Sequence, residues 1–183
     1  MIKTSFLQII FFYLSYLLTK NIIPFLKIYF KDIPNERSSH KIIKPKAGGI
    51  SFVFLSIIIF FLNGNFLLLF SIPLAIISLI DDFKGLSLHF RLIFQVIISI
   101  LFLYFGGNIF INLLNGFSLV CISIISIIIF VGIINSYNFM DGIDGLVCSC
   151  SAISFLFYSL KYNIDFLTIF FILLGFLIFN WSP

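Results

Sequence analysis

The stretch FSLVCISIISIIIFVGIINS (residues 117–136) carries no charged side chain from its first residue to its last. A helix that crosses the ~30 Å hydrocarbon core of a bilayer needs about 20 mostly apolar residues, because each residue rises only about 1.5 Å. This stretch therefore predicts a transmembrane helix.

The composition of the whole chain agrees with a membrane protein. Of its 183 residues, 61% are hydrophobic and only 10% are charged, and the mean hydropathy is +1.21. Soluble domains have about 45–50% apolar and about 25% charged residues, so a water-soluble globular domain is excluded. The three cysteines lie in apolar runs without metal-site spacing, and we expect them to be core residues.

Further apolar runs extend the prediction to the remaining chain. They cover residues 5–29, 48–65, 66–80, 92–105, 146–160 and 165–180. Several are short for a full crossing and would need flanking residues or a locally thinner bilayer. No small-residue cleavage site follows the first run, so a retained helix is expected there instead of a signal peptide. We predict an all-α, polytopic transmembrane bundle of about seven helices, forming a single integral membrane domain over residues 1–183.

The distribution of lysine and arginine predicts the orientation of this bundle. The segment 31–48 is rich in basic residues, whereas the segments around 63–65 and 106–116 have none. Its basic residues are Lys31, Arg37, Lys41, Lys44 and Lys46. The positive-inside rule places 31–48 in the cytoplasm, and counting crossings from there also places 81–91 and 135–146 in the cytoplasm.

The acidic residues are concentrated in the same three loops. They are Asp32, Glu36, Asp81, Asp82, Asp141 and Asp144, and only Asp165 lies elsewhere. Charged groups at a bilayer boundary are costly unless solvated or paired, which favours a functional explanation. A small ion-coupled transporter would carry its acids at mid-helix depth, whereas these lie at helix ends, which favours an enzyme. A transporter and a chain with no activity are the remaining alternatives from other classes.

The first two loops have chemistry suited to phosphate and metal. In DIPNERSSHKIIKPKAGG (32–49), Arg37 can bind a phosphate with two parallel hydrogen bonds. Gly48 and Gly49 open the next helix, whose free N–H groups favour an anion. In DDFKGLS (81–87), adjacent carboxylates at a helix end can hold Mg²⁺.

The third loop, NSYNFMDGIDGL (135–146), is the most specific signal in the chain. Asp141 and Asp144 are three residues apart, so both carboxylates face the same way if the segment is helical. Gly142 and Gly145 would allow the backbone to approach a ligand closely. The spacing does not match an EF-hand, which needs acids at positions 1, 3 and 5 of its loop.

Taken in this order, the three motifs resemble the polyprenyl-phosphate sugar-1-phosphate transferases. That superfamily includes the undecaprenyl-phosphate GlcNAc-1-phosphate transferases and the phospho-MurNAc-pentapeptide translocases, and NERSSH (35–40) is most similar to its O-antigen-initiating branch. The resemblance implies a multi-pass enzyme of the bacterial inner membrane, with Mg²⁺ as cofactor and its active-site loops in the cytoplasm. Its partners would be a UDP-sugar, undecaprenyl phosphate and membrane lipids, with no nucleic acid.

The resemblance also implies roles for individual residues. Catalytic roles fall on Asp81, Asp82 and Asp144, metal binding on Asp141 and Asp81, and substrate binding on Arg37, His40, Lys46 and Asn138. For Asp82, a general base and a metal-positioning group remain alternatives. The implied reaction gives undecaprenyl-diphospho-sugar and UMP, in O-antigen or other cell-envelope polysaccharide synthesis. The alternative within the same superfamily is the translocase of peptidoglycan synthesis.

Two features depart from the pattern of this superfamily. Lys46 stands where the branch usually has arginine. Lysine keeps the positive charge but cannot form the bidentate hydrogen bonds of a guanidinium group. Members are also nearly twice as long, so the chain resembles an N-terminal fragment. We therefore expect these 183 residues to insert into a membrane without transferring sugar phosphate by themselves.

Overall fold

The computed structural model describes residues 2–32, 44–64, 69–106, 116–161 and 165–181. In these residues the chain forms seven helices, and the predicted all-α class is confirmed. The helices are α1 (Ile2–Tyr29), α2 (Ile50–Leu62), α3 (Ser71–Lys84), α4 (Leu88–Gly106), α5 (Gly116–Met140), α6 (Leu146–Lys161) and α7 (Asp165–Asn180). A two-residue antiparallel ladder joins β1 (Lys31–Asp32) to β2 (Lys44–Pro45).

Three of these helices are long and apolar enough to cross a membrane by length and composition. They are Phe6–Tyr29 within α1, Leu88–Gly106 and Val120–Met140 within α5. Shorter apolar helices cover Ile50–Leu62, Leu146–Lys161 and Phe166–Asn180. Within the described ranges, the short apolar runs of the sequence are thus helical, as predicted. That these short helices cross the bilayer stays a prediction.

The chain divides into two compact units. Unit 1 comprises Met1–Gly64 and Met140–Pro183, and unit 2 comprises Asn65–Phe139. Unit 1 contains the ladder with α1, α2, α6 and α7, and unit 2 contains α3, α4 and almost all of α5.

Helix α7 lies at the centre of unit 1, where it packs on α1, α2 and α6. Phe11, Leu55, Ile59 and Ile172 form a buried apolar cluster between α1, α2 and α7. At Gly175, an added Cβ would lie 2.4 Å from the Phe12 carbonyl oxygen. The backbones of α1 and α7 therefore approach so closely that only glycine fits at this position, as is common where helices associate in lipid.

Buried hydroxyl groups connect the same helices. Ser15 Oγ donates to the Ile172 carbonyl at 2.7 Å, and Thr19 Oγ1 lies 2.7 Å from Ser51 Oγ. Thr19 also donates to the Ser15 carbonyl at 2.8 Å. Because apolar burial gives little driving force between helices in lipid, such hydrogen bonds and close packing hold unit 1 together.

We expect Thr19→Val to lower the free energy of unfolding by about 1 kcal/mol, since it removes an interhelical hydrogen bond at nearly constant shape. The measurement is denaturant unfolding in detergent micelles. Ser154→Ala is the matched control. The exposed Ser154 hydroxyl donates to the Cys150 carbonyl within its own helix, α6, so its loss removes no hydrogen bond between helices. Equal stability of Thr19→Val and the parent chain would contradict this role for the hydroxyl group.

Unit 2 is held by aromatic contacts and polar pairs. Phe102 of α4 lies with its ring centroid 5.4 Å from that of Phe130 of α5. Ile98 and Ser99 are the only buried residues among those that the structure describes in this unit. Large apolar side chains of this unit, among them Ile97, Leu101 and Ile128, are exposed, which suits helices surrounded by lipid.

Candidate functional site

One end of unit 1 collects the ends of all four of its helices. Lys46 N–H donates to the Phe30 carbonyl at 2.8 Å, which fixes the ladder against the end of α1. A Cβ on Gly48 would lie 3.4 Å from the ring of Phe176, and a Cβ on Gly145 would lie 2.9 Å from the ring of Trp181. The ends of α1 and α7 thus lie beside the beginnings of α2 and α6. The base of the first predicted loop and the third loop therefore share one end of this unit.

The third loop is a tight turn, not a continuation of a helix. Helix α5 ends at Met140 and α6 begins at Leu146, with Ile143 N–H donating to the Met140 carbonyl at 3.1 Å. Gly145 has φ +72°, a conformation that side chains with a Cβ rarely adopt. Asp141 and Asp144 were expected to face the same way only if this segment were helical. Because it is a turn, helical spacing does not align them. Gly145 serves the turn and lies beside the ring of Trp181, and the close approach of a ligand at this glycine stays a prediction.

Asp141 and Asp144 nevertheless interact across the turn. Partial burial and, second, the charge of Asp144 raise the pKa of Asp141 above its ordinary value. Both causes disfavour the charged carboxylate, and a bound cation would oppose both of them.

The donor atoms of the turn fit Mg²⁺. This ion is usually bound through one or two carboxylates, with water and substrate phosphates completing its coordination. Asp141 and Asp144 supply two carboxylates in one turn. No group of three or more His, Cys, Asp or Glu residues able to hold a metal ion occurs in the described part of the chain. A metal here would accordingly depend on water and substrate oxygens.

Lys44 is a site residue that the sequence did not single out. Its ammonium group forms an ion pair with the Asp144 carboxylate, linking the ladder to the third loop. The two residues are 100 positions apart, so no local pattern could have paired them. Lys46, which was expected to contact substrate, follows Lys44 by two residues and is half-buried. Arg37 and His40 lie outside the described residues.

In unit 2, Asp81 closes the turn between α3 and α4. Its Oδ1 accepts the Leu86 N–H at 2.7 Å, and its Oδ2 lies 2.6 Å from Nη1 of Arg91. Gly85 ends α3 with φ +65° and donates its N–H to the Asp81 carbonyl. Both carboxylate oxygens of Asp81 thus have protein donors, and its metal and catalytic roles stay predictions. Asp82 lies exposed in the last turn of α3.

A second polar pair joins α4 to α5. Asn135 Nδ2 donates to Gln95 Oε1 at 2.7 Å and to the Val131 carbonyl at 2.9 Å. Together with the contact of Phe102 and Phe130, this pair shows that α4 and α5 run antiparallel. Asn138, exposed near the end of α5, therefore lies at the same end of unit 2 as the Asp81 turn.

Comparison with known proteins gives a family match and several relatives. The model of the family described as "Glycosyl transferase family 4" matches residues 64–183. The chain is 34% identical, over 77% of its length, to 47% of the undecaprenyl-phosphate alpha-N-acetylglucosaminyl 1-phosphate transferase of Thermotoga maritima. It is 31% identical, over 80% of its length, to 49% of the phospho-N-acetylmuramoyl-pentapeptide-transferase of Prochlorococcus marinus.

A further phospho-N-acetylmuramoyl-pentapeptide-transferase, from Staphylococcus saprophyticus, is 30% identical over 76% of the chain and 54% of its own length. The chain thus spans about half the length of the curated relatives it matches. No solved structure matches it at a significant level.

Proposed function

Because this chain belongs to glycosyl transferase family 4, we propose that it acts in the transfer of a sugar 1-phosphate from a UDP-sugar to undecaprenyl phosphate. The proposed sugar is of the N-acetylhexosamine type, and the products are undecaprenyl-diphospho-sugar and UMP. The name of the Thermotoga relative supports both the lipid and the sugar. The proposed cellular role is the initiation of O-antigen or other cell-envelope polysaccharide synthesis.

The observation that carries the proposal is the mixed-charge turn at one end of unit 1. Asp141 and Asp144 bring two carboxylates together, and Lys44 brings a cation onto one of them. Both proposed substrates carry negative phosphates, so a site that joins them must lower their mutual repulsion. Carboxylates that recruit a cation, with a lysine beside them, provide such a site.

The proposed reaction is an in-line displacement at phosphorus. An oxygen of the lipid phosphate forms a bond to the β-phosphorus of the UDP-sugar, while the bond from that phosphorus to the oxygen of the α-phosphate breaks and UMP leaves. The second pKa of a phosphate monoester is about 6, so the attacking group is largely ionised at neutral pH. A strong general base is not required, and Asp82 is assigned either to positioning or to assisting as a base.

We assign Mg²⁺ to Asp141, with Asp144 beside it in the same turn. When bound, Mg²⁺ supplies positive charge that neutralises the diphosphate and orients it for attack. The residues of the chain then bind and orient the anions. Lys44 holds Asp144, and Lys46 follows two residues later on the same short segment, where its ammonium group can contact a phosphate.

The test uses the protein expressed from its complete reading frame and purified in detergent. It is incubated with undecaprenyl phosphate, Mg²⁺ and radiolabelled UDP-GlcNAc, and we expect label in the organic phase after extraction. A parallel incubation with UDP-MurNAc-pentapeptide tests the second candidate, which the names of other relatives favour. Label from the pentapeptide donor alone would replace the first proposal with the second, and label from neither would contradict both.

The proposed location is the inner membrane, with the three loops in the cytoplasm. A single cysteine at the exposed Ser87, in a variant lacking the native cysteines, should react with a membrane-impermeant maleimide only after spheroplasts are opened. A cysteine at Asn63, in the loop expected on the other side, is the control and should react in intact spheroplasts. Labelling of the Ser87 variant from outside would contradict the orientation.

A further inference from the structure

Helix α4 carries a line of polar residues through an otherwise apolar span. From Phe90 to Leu103, its polar side chains are Arg91, Gln95 and Ser99, at intervals of four residues. Residues at this spacing lie on one face of a helix. Polar and charged groups are costly within a helix long enough to cross a bilayer, so they are expected to have a function or to bind neighbouring helices.

Each of the first two residues of this face has its partner on a different helix. Arg91 pairs with Asp81 of α3 at 2.6 Å, and Gln95 pairs with Asn135 of α5 at 2.7 Å. Ser99 instead donates to the Gln95 carbonyl within α4 itself. One face of α4 therefore holds both neighbouring helices of unit 2 at the end where the turn 85–87 lies.

The partners of Arg91 and Gln95 adjoin residues with proposed chemical roles. Asp82 follows Asp81 directly, and Asn138 lies one helical turn beyond Asn135. Because the two carboxylate oxygens of Asp81 bind Arg91 and the Leu86 N–H, this residue fixes the end of α3. The pairing of Gln95 with Asn135 fixes the last turns of α5 in the same way.

We propose that Arg91 and Gln95 are positioning residues of the transfer reaction, which hold Asp82 and Asn138 at one end of unit 2 through Asp81 and Asn135. This inference rests on the proposed function. It assigns Asp81 to positioning, and it assigns Asp82, exposed in the last turn of α3, to contact with substrate. A displacement of about 1 Å in such a group can lower a rate by about 10²-fold.

The kinetic test compares Arg91→Gln and Gln95→Leu with the parent protein, expressed from its complete reading frame. We expect kcat to fall by about 10²-fold while KM for the UDP-sugar changes by only a few-fold, since positioning acts on the reacting groups. The double variant Gln95→Asn with Asn135→Gln restores the summed length of the pair and should recover most of kcat. Ser99→Ala removes a polar group from the same face and is the control, with kcat close to that of the parent.

A structural readout accompanies the kinetics. Spin labels on cysteines at Ser87 and Ser136, both exposed in unit 2, report the distance between the turn 85–87 and the end of α5. The distance distribution should be narrow in the parent, broad in Gln95→Leu and narrow again in the double variant. Unchanged kcat in the single variants, or lost kcat with unchanged distances, would overturn the inference. A parent that transfers no label from any donor would contradict the proposed function, whereas the distances would still show whether this face of α4 holds its neighbours.

Discussion

Replacing Asp141 with asparagine is expected to lower sugar-phosphate transfer by at least about 10²–10³-fold, the loss typical when one strong electrostatic contact to a reacting group is removed. The substitution keeps the volume of the side chain and removes a negative oxygen ligand. The neighbouring Asp144 shares its negative charge with Lys44, so we expect it to compensate only weakly for the lost carboxylate. The measurement uses the protein expressed from its complete reading frame and follows label transfer from UDP-GlcNAc to undecaprenyl phosphate across a series of Mg²⁺ concentrations.

Asp165→Asn is the matched control for this variant. Asp165 is the first residue of α7, at the end of the helix opposite to Trp181, and the same change there should leave transfer unaffected. Binding of Mn²⁺, followed by electron paramagnetic resonance, gives a second readout and should weaken in Asp141→Asn alone. Turnover equal to that of the parent in Asp141→Asn would show that the metal lies elsewhere.

The largest effect on stability is expected at Gly175. In Gly175→Ala the new methyl group would lie 2.4 Å from the Phe12 carbonyl oxygen and 3.0 Å from Ser15 Cβ, so α1 and α7 must move apart. Overpacking of this kind usually costs about 1–3 kcal/mol, and here the obstacle is backbone, which cannot rotate away. We expect a cost of about 3 kcal/mol in the free energy of unfolding in detergent micelles.

Gly132→Ala gives the comparison that isolates packing from helix propensity. Gly132 lies within α5, and apart from the adjacent backbone of its own helix a Cβ there would meet nothing within 4 Å. Since alanine is the better helix former by about 1 kcal/mol, this variant should be as stable as the parent or slightly more stable. A similar response of the two glycine variants would mean that α1 and α7 do not pack as closely as the structure shows.

Helix positions were largely predictable from the sequence because hydropathy is a local property. The run at 117–136 predicted a helix that the structure gives as Gly116–Met140. The boundaries of α3 and α4 were less well predicted. The expected run ended at residue 80, whereas α3 continues through Asp81 and Asp82 to Lys84, where Gly85 ends it in a left-handed conformation.

The family was also predictable, since the motifs that carry it are short and contiguous, and the family match confirms it. The O-antigen branch depends on NERSSH, which lies outside the described residues, and it stays a prediction. The ion pair of Lys44 with Asp144 was missed because it depends on how α1, α2 and α6 pack. The aspartate pair was predicted as a unit, whereas the structure distinguishes Asp81, which binds Arg91, from its exposed neighbour.

The contact between Trp181 and Gly145 has a practical consequence. The chain contains a single tryptophan, and its indole ring lies against the residue that follows Asp144. The tryptophan fluorescence of these 183 residues therefore arises from one position, and we expect it to respond to the shape and charge of the acidic turn. Titrating Mg²⁺ or a nucleotide sugar while recording this emission would follow events at the turn in real time, without a dye. These residues thus carry an optical reporter beside the carboxylates of Asp141 and Asp144.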